Sequence, residues 1–315
     1  MGEKIDFPDE LKRHIRLAKK AIEEKEYLVS IRYLQKAYEM DMSFEINQLY
    51  TEALLKCEDF ESALQIAQDF IIEYQQTTLT LTKYVRILLL NQHFLKARKL
   101  ILQSVFLTNE QTKTFIQQVN QLEAAVDLLD PENIQQKRQW LNSWDEKGAP
   151  VITADWEAFQ RQVTYRQFIA MMQDFLPKSK NDFLRPRLIE ELVLLKCDKT
   201  ITCSSWDGKA TAVNLMEITL PEKVASYQEL KKYFETEVAA QDSQMAEFCL
   251  NELNAQLAIT YPFVPFVSDT KKWGESYILE YQAMMGSKRA KIILQNFADI
   301  TEQKAQIRQI YQKNF

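Results

Sequence analysis

The sequence predicts a mainly α protein with an N-terminal helical-hairpin array and a mostly helical C-terminal domain carrying one β-hairpin. Three observations predict it. Only five of the 315 residues are glycine, well under the usual ~7%. Aromatic, small and apolar residues recur every 33–34 positions through the first third of the chain. A single stretch, T-I-T-C-S-S-W-D-G-K-A-T-A-V-N-L at 200–215, carries the β-branched runs and the Asp-Gly pair of a hairpin.

The repeat comes first in the chain. Tyr27, Phe60 and Phe94 lie 33 and 34 residues apart. Three positions after each stands a small residue, Ser30, Ala63 or Ala97. Leu17, Tyr50 and Tyr84 precede the aromatics by ten positions, and Ala21, Leu54 and Leu88 by six. Such a period marks stacked helical hairpins, each unable to bury its own apolar face without a neighbour. The small residue lets the two helices of a hairpin approach closely, and the second helix is expected to begin at the aromatic.

These residues resemble the tetratricopeptide repeat. The carrying positions are Leu17, Ala21, Tyr27, Ser30 and Ala37, then Tyr50, Leu54, Phe60, Ala63 and Phe70, then Tyr84, Leu88, Phe94, Ala97 and Ser104. Ala18, Thr51 and Val85 replace the family's usual glycine, and the closing proline is absent. The resemblance covers about residues 10–107. Over nearly its whole length the chain is also similar to a set of repeat proteins of low-GC Gram-positive bacteria, a group with no agreed activity to carry over.

Residues 110–144 continue helical, as a worn fourth unit, with Asp130 as a helix cap and Pro131 in the first turn. Gly148 and Pro150 break the pattern. They place a boundary between an array at 1–147 and a C-terminal domain at 148–315. Beyond it, one long helix is expected from about Thr153 to Leu176, then another with Pro186 near its start. The hairpin follows, turning on Asp207-Gly208 as a two-residue loop. Helices resume at about 226–240, 243–260, 275–286 and 288–313, and Y-P-F-V-P-F at 261–266 reads as an extended, buried connector.

Composition narrows function. The charge of −5 and the pI near 5.4 argue against a basic nucleic-acid surface over the whole protein. No Gly-x-Gly-x-x-Gly or phosphate-loop motif is present. Cys57, Cys197, Cys203 and Cys249 form no C-x-x-C pair, and only His14 and His93 could join them. Reduced, buried thiols are therefore expected, with no metal or cofactor. The charged N-terminal stretch and the lack of an apolar run of spanning length imply a cytoplasmic protein with no membrane partner. Neither histidine has a nucleophile near it in sequence: His14 falls inside a helix, His93 is expected exposed in a turn, and no enzyme is expected.

The resemblance implies a concave groove that holds a protein or peptide partner. By register its candidates are Lys12, Ile15 and Lys19, then Gln48, Glu52 and Leu55, then Thr82, Arg86 and Leu89. Ile15 and Leu49 stand where members that clamp a C-terminal dicarboxylate are polar. The other reading is nucleic acid, met by Lys178, Lys180, Arg185 and Arg187 beside a hairpin placed like a wing. Asp182, Glu190 and Glu191 among those bases, and a hairpin tip offering only Lys209, weigh against it. Trp140 and Trp144 share a helical face, for packing between the domains or for self-association.

Overall fold

In the computed structural model residues 8–129 and 132–312 are described; Asp130 and Pro131, expected as a cap and a first helical turn, lie outside them. The chain divides into two compact units. The first holds the residues up to Leu129 together with Gln160–Thr164, and the second holds Asp130–Phe159 and Tyr165–Phe315.

The first unit is a run of hairpins. Its helices are α1 (Pro8–Glu23), α2 (Tyr27–Met40), α3 (Phe44–Lys56), α4 (Phe60–Gln68), the single turn α5 (Ile71–Tyr74), α6 (Thr78–Leu90), α7 (Phe94–Gln103) and α8 (Asn109–Leu129). Each long helix packs on the next, α1 on α2 through α7 on α8, with α4 meeting α6 past the short α5. Tyr27, Phe60 and Phe94 each open the second helix of a hairpin. Ser30, Ala63 and Ala97 are all 0% exposed, so the helix crossings close on them without space to spare.

The turns inside the three hairpins are copies of one another. Lys25, Glu58 and Gln92 stand at φ 62°, 60° and 61°. Each is followed by an N–H that reaches back to a helix carbonyl five residues earlier: Glu26 to Ala21 at 2.8 Å, Asp59 to Leu54 at 3.1 Å, His93 to Leu88 at 2.9 Å. This is the Schellman closure, for which glycine is the usual left-handed residue. Here three non-glycine residues take that conformation, at a cost of about 1–2 kcal/mol each.

Buried polar groups hold neighbouring hairpins in register. Asn47 is fully enclosed. Its Nδ2 donates to Tyr38 Oη at 3.0 Å and to the Ile66 carbonyl at 2.6 Å, and its Oδ1 accepts from Tyr74 Oη at 3.0 Å. Between α7 and α8 the pin is ionic: Arg98 Nε donates to Glu123 Oε1 at 2.8 Å, with both side chains buried.

Two expectations fail near the third turn. His93 is half-buried rather than exposed. Burial, then the charges of Lys96 and Arg161, push its imidazole down to about 4, so it is neutral near pH 7. The long helix expected from Thr153 is two helices, α10 (Thr153–Gln160) and α11 (Tyr165–Phe175). Between them Gln162 turns left-handed at φ 65°, and its N–H donates to the Gln92 carbonyl at 3.0 Å. Thr164 Oγ1 donates to Asp127 Oδ1 at 2.8 Å. A tertiary clasp stops the helix where no glycine or proline does.

In the second unit α9 (Glu132–Lys147) ends at Gly148, which sits at φ 65°. After α10 and α11 come α12 (Leu184–Leu194) and two antiparallel strands, β1 (Thr200–Ser204) and β2 (Ala210–Asn214), paired from Thr200↔Asn214 to Ser204↔Ala210. The remaining helices are α13 (Ala225–Tyr233), α14 (Ser243–Thr260), α15 (Thr270–Met284), α16 (Lys288–Ile293) and α17 (Ala298–Gln312). A π-helical stretch, Phe234–Val238, extends α13, and a 3₁₀ turn, Leu294–Phe297, interrupts the helix expected over 288–313. Phe234, Leu253, Phe266, Trp273 and Tyr277 centre the core that α13–α15 build. Trp140 and Trp144 join a ring cluster within this unit, Trp144 meeting Phe159 at 5.4 Å between centroids.

The hairpin loop is one residue longer than expected. Ser205 N–H donates to Lys209 O at 2.8 Å and Gly208 N–H to Ser205 O at 2.9 Å, so Trp206, Asp207 and Gly208 form the loop, with Gly208 left-handed at φ 82°. Trp206 is drawn out of the strand because its Nε1 donates to the Phe263 carbonyl at 3.0 Å. The connector at 261–266 is buried at Tyr261, Val264 and Phe266, half-buried at Pro262, Phe263 and Pro265, and turns 3₁₀ at Pro265–Val267.

Candidate functional site: a groove in the helical array

A groove of about 730 Å³ opens in the array between α6 and α8. One wall is Thr82, Val85, Arg86 and Leu89 of α6, at helical spacing along one stripe. The opposite wall comes from α8, chiefly Phe115, Gln118, Val119 and Leu122. Phe94, the aromatic that opens α7, also lines the groove. Val85 and Val119 belong to the array core, so the floor is continuous with packed interior and therefore rigid.

The groove presents apolar surface to solvent. Leu90 and Leu122 on its lining remain 37% and 48% exposed. Its polar lining is amide and hydroxyl, from Gln92, Gln118, Gln121 and Thr82, apart from Arg86. Among the described residues, exposed Arg86 has no partner and no carboxylate lines the groove. Thr82 Oγ1 donates within its own helix to the Thr78 carbonyl at 2.7 Å.

Of the residues expected to face a ligand, Thr82 and Arg86 come together here with Leu89. Lys12 and Lys19 are exposed on α1, and Lys19 pairs with Glu45 at 3.3 Å. Gln48 accepts from Lys83 Nζ at 3.1 Å, while Glu52 is exposed on α3. None of these four lines the groove. Ile15 and Leu55, expected to face it as well, are half-buried against the array core. The α8 wall was missed because that helix was not aligned with the repeat. Phe115, Gln118, Val119 and Leu122 do show i, i+3, i+4, i+7 spacing in the sequence.

The basic cluster of the second unit divides. Arg185 is 5% exposed, donating to the Ser179 carbonyl at 3.1 Å and pairing with Asp182. Arg187 donates to the Val151 carbonyl at 2.7 Å and lies 4.5 Å over the Trp156 ring. Only Lys178 and Lys180 remain exposed. At the hairpin tip Lys209 pairs with Asp207 at 2.7 Å.

Comparison with protein-family models, curated proteins and solved structures finds no match. Among the described residues no cluster of His, Cys, Asp and Glu could hold a metal ion, and no helix is long and apolar enough to cross a membrane.

Proposed function

We propose that this chain is a non-enzymatic scaffold that holds an amphipathic helix or peptide in the groove between α6 and α8. The observation that carries the reading is a rigid apolar trough whose one charged lining residue, Arg86, lacks a partner among the described residues. An occupant with apolar residues at i, i+3 or i+4 and i+7 would cover Leu89, Phe115 and Leu122. A carboxylate on its flank would meet Arg86. The resemblance to tetratricopeptide repeats, whose grooves take peptides, supports the same use. The free thiols support a reducing, cytoplasmic setting: among them burial pushes Cys203 up to about 11 and Cys249 up to about 12, which leaves them unreactive. The nucleic-acid alternative loses support from Arg185 and Arg187, both engaged inside the fold.

The test is capture from a nuclease-treated lysate of the source organism by the wild type, Leu122→Ser and Arg86→Glu, followed by titration of the captured partner's helix. Each substitution is expected to weaken that helix by about 10- to 100-fold, equivalent to 1–3 kcal/mol. Equal binding by all three proteins would remove the groove from the account.

A further inference from the structure

The turn between α15 and α16 brings exposed aliphatic side chains and cations together on this acidic chain. Met284, Met285 and Ile292 are 60%, 63% and 66% exposed. Lys288, Arg289 and Lys291 are exposed within the same nine-residue stretch, 284–292. In α16, Lys288, Lys291 and Ile292 fall at i, i+3 and i+4 and so share a face. The fold holds this display in place. Gly286 closes α15 at φ 94°, the Ser287 hydroxyl accepts from Ala290 N–H at 3.2 Å, and Ala290 is 1% exposed.

The acidic residues flanking the turn in sequence are engaged with other cations. No Asp or Glu occurs between Glu280 and Asp299. Glu280 is taken by Lys304 at 3.4 Å and Arg308 at 2.6 Å, and Asp299 by Lys272 at 3.1 Å. Asp242, whose charge is felt at Tyr281, accepts from the N–H groups of Gln244 and Met245, both at 3.0 Å. Lys288, Arg289 and Lys291 form no ion pair among the described residues.

We propose that this turn docks on an anionic lipid surface. The three cations would lie at the phosphate level, and the two methionines and the isoleucine would enter the headgroup–acyl boundary. A strand of nucleic acid fits less well, because the exposed apolar side chains here are aliphatic and give bases nothing to stack on. The expectation of no membrane partner rested on the absence of a span, and surface docking needs none.

The test is co-sedimentation of the full chain with phosphatidylcholine vesicles, with and without phosphatidylglycerol, at low and high salt. The wild type is expected to bind only the anionic vesicles and to leave them at high salt. Each cation is worth roughly fivefold, so Lys288→Ala/Arg289→Ala/Lys291→Ala together should weaken binding about 100-fold. Met284→Ser/Met285→Ser/Ile292→Ser should weaken it while keeping the salt dependence. All six side chains are on the surface, and a melt of each variant verifies that it is folded. Failure of the wild type to bind anionic vesicles, or equal binding by either variant, overturns the proposal. Tighter binding to a DNA oligonucleotide, indifferent to the serine substitutions, overturns it in favour of nucleic acid.

Discussion

In the array, Asn47 is enclosed by two tyrosine hydroxyls and a backbone carbonyl; in the second unit, Lys304 is enclosed with its ammonium 3.3 Å from the Tyr277 ring centroid and 3.4 Å from Glu280. Both side chains are 0% exposed. The first network is centred on neutral groups, and its geometry sets the register of successive hairpins. The second is ionic. Arg308 bridges Glu252 and Glu280 at 2.8 and 2.6 Å, tying α17 to α14 and α15. Burial lowers the Lys304 ammonium to about 7 against the raising effect of Glu280, whereas the two carboxylates hold Arg308 above its ordinary value. Around Asn47 the hydroxyl–amide contacts join neighbouring hairpins without a desolvated charge, whereas the Arg98–Glu123 pin between α7 and α8 is a buried ion pair at the array's edge. A single-copy core can carry charge at its centre, and its stability then depends on pH.

The largest expected effect breaks the array half of that contrast. Ala63→Trp or Ala97→Trp puts an indole where the helix crossing has no space, and should cost about 3 kcal/mol or more, read in urea or thermal melts. An unchanged melt would show that the hairpin register is wrong. Asn47→Leu should cost about 2 kcal/mol, because Tyr38, Tyr74 and the Ile66 carbonyl lose a buried partner together. Undiminished stability would mean that packing alone sets the register. The smallest effect near pH 7 is expected from Lys304→Met, because Glu280 keeps Arg308 when the lysine is gone.

That last comparison sharpens with pH. Lys304 titrates at about 7 in the folded chain and near its ordinary 10.5 when unfolded, so between these values the folded state binds fewer protons. Stability from this group is therefore complete above 10.5 and falls as pH falls through the window to about 7. The wild type should gain on Lys304→Met as pH rises through that window, measured by paired urea melts. Cys249, pushed up to about 12 in the fold by burial, acts the opposite way at the alkaline end, so the comparison is read below the range where that thiol ionises in the fold. A difference independent of pH across this window would show that Lys304 keeps its proton in the fold, and would refute the lowered titration.

What the sequence made legible follows from where the forces are local. Glycine scarcity and the spacing of Tyr27, Phe60 and Phe94 are local signals, and helices α2, α4 and α7 begin on those residues. The left-handed turns at Lys25, Glu58 and Gln92 carried no glycine to announce them, although their spacing repeats with the aromatics. The break after Gln160 was illegible because its cause, the Gln92 carbonyl, lies far away in sequence. Half of the groove was readable from the register of Thr82 and Arg86. The α8 wall was hidden in a helix without the repeat's aromatic and small pair. The departure of Arg185 and Arg187 from the basic surface depended on partners at Ser179 and Val151 that no spacing rule specifies.

The clasp at Gln162 and Thr164 has a consequence for the order in which the molecule can be made. The bonds from Gln162 to Gln92 and from Thr164 to Asp127 are internal to the first unit, yet they use a segment synthesised after the opening helix of the second. On the ribosome, the array must wait for α9 and α10 to be made before its third turn and the end of α8 acquire these partners. The first unit is thus discontinuous in time as well as in sequence, and a nascent chain released before residue 164 lacks the contacts that complete it.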